Sequence, residues 1–283
     1  MQRVFGLAVG LGFIVAASWA AAIEITACGQ SLGEDEVGVL ANDLNCEPAT
    51  TAVSMASGAT LYLHGYTIDA PDGWGVWCEA AADCTVIGGD GTIQHAAAGI
   101  YLQRRARLTL VGGHLRDNHT GVLGEDWNNG RSGARATLTD VTATGSIGAA
   151  LQVGRLLLER VTLTDNPGHG IFGVITNSVK ATDLTVSNNA FSDNCQYYGC
   201  SGIAAGRFIG SNIIVTDNAG IGLQARLARV RGGVLSDNIR AGVRKDIVSP
   251  RPPILRDVAC DRSVRSKDPL SEWGVCRYDG GQQ

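Results

Sequence analysis

The sequence predicts an all-β chain wound as one parallel β-solenoid of roughly ten turns. Three observations carry the expectation. A short unit, clearest as "RVTLTDNPGHGIFG" at 160–173, recurs along the chain. Within each copy the apolar residues alternate over short runs rich in β-branched side chains, a strand period and not a helical one. Glycine is abundant at 38 of 283 residues while proline numbers only 7, which suits many tight turns and argues against a disordered linker.

Taken in order, residues 1–22 read as a signal peptide: Arg3, an apolar run over 4–17, then Ala20-Ala21-Ala22 as a cleavage signal. The run is short for a membrane span and no later stretch replaces it, so the expected location is secreted, periplasmic or cell-surface. Eight cysteines agree with an oxidising compartment. Their order suggests the pairs Cys28 with Cys46, Cys78 with Cys84, Cys195 with Cys200 and Cys260 with Cys276, although order alone does not fix connectivity. Ile25-Thr26-Ala27-Cys28 loosely resembles a lipoprotein box, but Glu24 precedes it and lipidation would leave an odd cysteine. Charge is uneven: residues 23–199 hold 9 basic and 19 acidic groups and 200–283 hold 13 and 8, so the two ends should carry opposite fields.

The repeat fixes the body over 23–263. "DVTATGS", "RVTLTDN", "DLTVSNN", "NIIVTDN" and "GGVLSDN" align without gaps, and each is followed by a small residue, an aliphatic and a variable one. The aliphatic positions Val76, Ile100, Val122, Leu151, Ile171, Ile203, Leu223 and Val243 should stack as an inward ladder. Leu115, Ala143, Leu163, Val186, Val215 and Leu235 should form a second. Asn118, Ser146, Asn166, Asn189, Asn218 and Asn238 make a polar column at a turn, where an amide can bond its equivalent one rung away. Residues 264–283 are expected to cap the C-terminal end of the stack.

On these motifs the chain resembles the right-handed parallel β-helix repeat proteins that share the pectate-lyase-like fold. "CGQSLGEDEVGVLANDLNC" followed by "ATLYLHGYTI" looks like the start of secreted bacterial members, and the resemblance covers nearly all of 26–263. It implies fold more strongly than activity.

Gly168-His169-Gly170 resembles the Gly-His-Gly of polygalacturonases, which makes His169 and Asp165 the candidates for an acid–base role. The Asn-Thr-Asp and Asp-Asp strings of those hydrolases do not occur, and the residues stacked with His169 share no chemistry, so a turn role competes. Asp117, Asp165, Asp217 and Asp237 invite calcium; recurrence in successive rungs points to a turn role instead, and no cofactor is required. The residue after each inward aliphatic should face out, which puts Trp77 and Tyr101 side by side as a platform for sugar faces, unless the Cys78–Cys84 loop covers Trp77. Asp140, Arg160, Asp183 and Asn212 should form a solvent-facing ladder. Arg226, Arg229, Arg231, Arg240, Arg244 and Lys245 make the last turns basic, with Arg226 and Arg244 as candidate contacts for uronate-rich chains. The expectation is a monomeric, non-enzymatic carbohydrate-binding or surface-interaction module directed at a polysaccharide or cell-surface glycan. The competing reading is a lyase, glycoside hydrolase or epimerase. Nucleic acid is not an expected partner.

Overall fold

The computed structural model describes residues 22–125, 133–172, 178–190, 201–240, 243–277 and 279. Among them every regular element is a strand, and 24 strands join in one continuous sheet coiled into a parallel β-solenoid of about 9 turns. The Cys195–Cys200 pair and the segment 1–21 lie outside the described residues.

Each turn contributes three strands, so the coil has three faces. Trp74–Cys78, Ala98–Leu102, Thr120–Gly124, Ala149–Gln152 and His169–Phe172 stack on the first face. Arg135–Thr139 stacks on the second, between the leading halves of Arg107–Arg116 and Arg155–Thr164. The trailing halves of those long strands form the third, with Thr142–Thr144 between them.

Single residues bent into the left-handed region make two of the corners. Asp140, Arg160, Asp183 and Asn212, with φ of 51 to 58°, separate the second face from the third. Asp117, Asp165, Asp217 and Asp237, with φ of 50 to 57°, end the third. Asp and Asn tolerate this conformation best among non-glycine residues, which explains their recurrence.

Both predicted ladders form. Val76, Ile100, Val122, Leu151, Ile171, Ile203 and Leu223 are paired rung to rung and wholly buried. So are Ala143, Leu163, Val186, Val215 and Leu235 above Leu115. Burying each Val, Leu or Ile stabilises the coil by about 1.5–3 kcal/mol.

Val243 departs from the expected ladder. It lies in an antiparallel hairpin, Ile239–Arg240 against Val243–Arg244, and is 40% exposed, while Ile247 pairs with Leu223 and is wholly buried. Asp246 decides the shift. Its Oδ1 accepts from the Asn238 backbone N–H at 3.2 Å and from Asn238 Nδ2 at 2.8 Å, and its Oδ2 accepts from the N–H groups of Asp261 and Arg262 at 3.1 and 2.9 Å. A carboxylate there closes the asparagine column, so the chain loops out until Asp246 reaches it.

Disulfides Cys28–Cys46 and Cys260–Cys276 brace the two ends, and Cys78–Cys84 ties one turn between the first and second faces. Disulfides of this kind fit an oxidising compartment. At the C-terminal end Asp268–Glu272 runs antiparallel to Ser263–Arg265, with Arg262 Nε on Glu272 Oε1 at 2.6 Å and Arg265 over the Trp273 ring at 4.5 Å. No described helix is long and apolar enough to cross a membrane.

Candidate ligand-binding face

The first face carries a cluster of aromatic side chains. Register pairs Trp77 with Tyr101 and Trp74 with the small Ala98, which leaves room for the Tyr101 ring beside Trp74. Those two rings stack with centroids 5.0 Å apart and planes 19° apart. The Trp77 indole stands edge-on to both, at 4.7 Å from Trp74 and 5.9 Å from Tyr101. All three are half-buried, so the cluster has packed edges and a wet side.

One rung before Trp77 lies Ser54. Between them opens a cleft of about 320 Å³ lined by Ser54, Trp77, Glu79, Ala80 and Gln103. The Cys78–Cys84 bridge holds Glu79 and Ala80 in its loop, and the Ala80 N–H donates to Gln103 Oε1 at 3.1 Å, fixing one wall. The disulfide loop therefore shapes a flank of Trp77 without enclosing it. The Trp77 Nε1–H is buried and has no hydrogen-bond partner among the described residues. An unmet donor of that kind costs about 1–3 kcal/mol.

Further along the face the positions stacked on Trp74 and also Gln152 are covered, while Leu123, Phe172 and Ala204 stay half-buried and Gln224 is exposed. Thr120, Gln152 and His169 are 4, 8 and 9% exposed, and Ser201 is fully covered. Gln152, which alternation turned outward, is thus buried. The His169 ring packs on Phe172 with centroids 4.5 Å apart, and its Nδ1 lies 3.2 Å from both the carbonyl oxygen and the N–H of Ser201. Burial pulls the imidazole pKa down to about 4, against the raising effect of the Ser201 backbone, so His169 is neutral at neutral pH. Comparison with family models, curated proteins and solved structures finds no match to the chain.

The remaining candidates are dispersed. Asp165 bends the corner, accepts from Asn188 Nδ2 and lies 3.1 Å from the Thr164 hydroxyl; no contact links it to His169. Among the described residues no group of three His, Cys, Asp or Glu side chains is placed to hold a metal ion. Arg226 is exposed and its side chain has no hydrogen-bond or ionic partner among them, while the Arg244 side chain lies outside the description. The corner ladder breaks into two pairs. Arg160 grips Asp140 through Nε at 2.6 Å and Nη2 at 3.0 Å and also meets Glu159, and Asn212 Nδ2 donates to Asp183 at 3.0 Å. The Arg160 guanidinium holds the Asp140 carboxyl below its usual range.

Sequence reading missed Trp74 as part of the cluster, although its place three residues before Trp77 was a usable signal. It also missed Asp246, whose carboxyl is pushed up to about 6 by burial, against the pull of Asn238 and the Arg262 backbone.

Proposed function

We propose that the protein is an exported, non-enzymatic carbohydrate-binding module of the pectate-lyase-like β-helix kind, and that the cluster of Trp74, Trp77 and Tyr101 is its platform. The observation behind this reading is three aromatic rings in mutual contact across adjacent rungs, half-buried beside a cleft whose polar lining is Ser54, Glu79 and Gln103. An aromatic face takes the apolar face of a sugar ring, and the polar groups around it meet hydroxyls. The leader-like residues 1–22 and the disulfides support export. Among the described residues, a neutral His169 bonded to backbone has no carboxylate partner of the kind that acid–base cleavage of a sugar chain employs.

The test is glycan binding by the Trp77→Ala, Tyr101→Ala double variant. We expect at least ~tenfold weaker retention on soluble glycans, since stacking and hydrogen bonding are lost together. Unchanged retention removes the platform, and unsaturated-sugar absorbance from polyuronates would replace the binding reading with a lyase.

A further inference from the structure

The second face has a charge pattern that its scattered sequence positions conceal. Arg107, Arg135 and Arg155 stand directly in register on three successive rungs. On the next rung Ser178 pairs with Arg155 and Lys180 supplies the cation; Arg207 then pairs with Ser178. The following rung has Arg229 and Arg231, and Arg256 pairs with Arg231 on the last. Each of these side chains is exposed, so every rung from Arg107–Arg116 to Ile254–Cys260 presents a cation.

The outward acids beside the basic rungs of this face are Asp83 and Glu159; the exposed Glu24 lies on the same face four rungs before Arg107. Asp83 already faces Arg107 at 3.5 Å, and Glu159 is held by Arg160. Beyond Arg107, the cations have no side-chain partner among the described residues. Like charges in register on strands ~4.8 Å apart oppose folding, so the row has no structural return within the coil. Between the cations lie uncharged outward residues such as Thr109, Thr137 and Leu157, which keep the surface flat.

We propose that this face binds a linear acidic polysaccharide laid along the solenoid axis, one carboxylate or sulfate per rung. Arginine grips such groups through two parallel N–H bonds, and the summed field draws the chain in. The rung spacing of ~4.8 Å is near that of successive sugars, whereas duplex DNA has one charge per ~1.7 Å of axis. Among the described residues, the second-face strands that carry these cations also present no outward aromatic side chain for bases to stack on. The proposal takes its polymer class from the carbohydrate reading but uses a separate face.

Titration of the purified protein with polyglucuronate and with a neutral glucan tests it, comparing wild type with Arg135→Gln/Arg155→Gln, Arg160→Gln and Trp77→Ala/Tyr101→Ala. We expect polyglucuronate affinity to fall at least ~tenfold in the Arg135/Arg155 variant and to weaken with added salt. Arg160→Gln, whose guanidinium is already occupied by Asp140 and Glu159, should stay within about twofold of wild type. Unchanged affinity in the Arg135/Arg155 variant overturns the proposal, as does equally tight binding of single-stranded DNA. The neutral-glucan response of the aromatic variant bears on the platform alone, so the two readings fail separately.

Discussion

Asn218 uses its whole amide inside the coil. Its Oδ1 accepts from the backbone N–H and Nδ2 of Asn189, both at 3.0 Å. Its Nδ2 is shared among the Val186 and Thr216 carbonyls and Asn238 Oδ1, at 3.2, 3.0 and 2.7 Å. Asn166, Asn189 and Asn238 repeat the pattern, so the buried column is satisfied without water from Asn166 to Asn238, while one rung earlier the buried Ser146 hydroxyl has no partner among the described residues. His169 is buried on different terms, because only its neutral form fits. Its folded pKa of about 4 lies below the ordinary 6.5, so between these values the unfolded chain binds more protons. The stability this gives is present above about pH 6.5 and is lost as pH falls through about 4. Asp246 titrates in the opposite sense, so the His169 contribution is read as a difference. Wild type minus His169→Phe stability, measured by denaturant unfolding from pH 7 to pH 4, should fall by up to about 3 kcal/mol. A difference independent of pH would mean that the ring is not held neutral.

At the scale of elements, the first and third faces were legible because their residues sit a few positions from the Asn turn, inside the recurring unit. The second face was not. Arg107, Arg135 and Arg155 are recognised as register partners only once the strands are paired, because the intervals from 107 to 135 and from 135 to 155 differ. The platform was half legible: alternation placed Trp77 beside Tyr101, but the stacking of Trp74 on Tyr101 depends on the small Ala98 in register with Trp74. The last rung shows a local pattern losing to a hydrogen-bonding requirement. Gly242-Val243 matches the repeat and Asp246-Ile247 does not, yet four N–H donors need a carboxylate at the end of the column. Substitution separates the two frames. Ile247→Ala should cost about 2–4 kcal/mol by cavity formation and Val243→Ala less than about 0.5, in thermal or denaturant unfolding. Equal costs would restore Val243 to the interior.

As a whole molecule, the coil separates charge by face as well as by end, since Arg107, Arg135 and Arg155 come from the acidic stretch of the sequence. Each turn packs chiefly on its neighbours, so opening should start at the ends, where Cys28–Cys46 and Cys260–Cys276 close loops of 18 and 16 residues. Each such bridge is worth about 3 kcal/mol. Reduction should therefore speed amide exchange first in 23–46 and 254–277, with the rungs from 142 to 216 protected longest. Uniform loss of protection would mean one cooperative unit. The asparagine column adds a direction to this stack. From Asn166 to Asn238 every amide donates toward the C-terminal side, so the small dipoles add up, and their positive end meets Asp246. A duplicated turn spliced between two of these asparagines keeps each hydrogen facing an oxygen, whereas one appended beyond Asp246 meets an acceptor with nothing to offer it. The coil can thus lengthen from within, but at that end it has a built-in full stop.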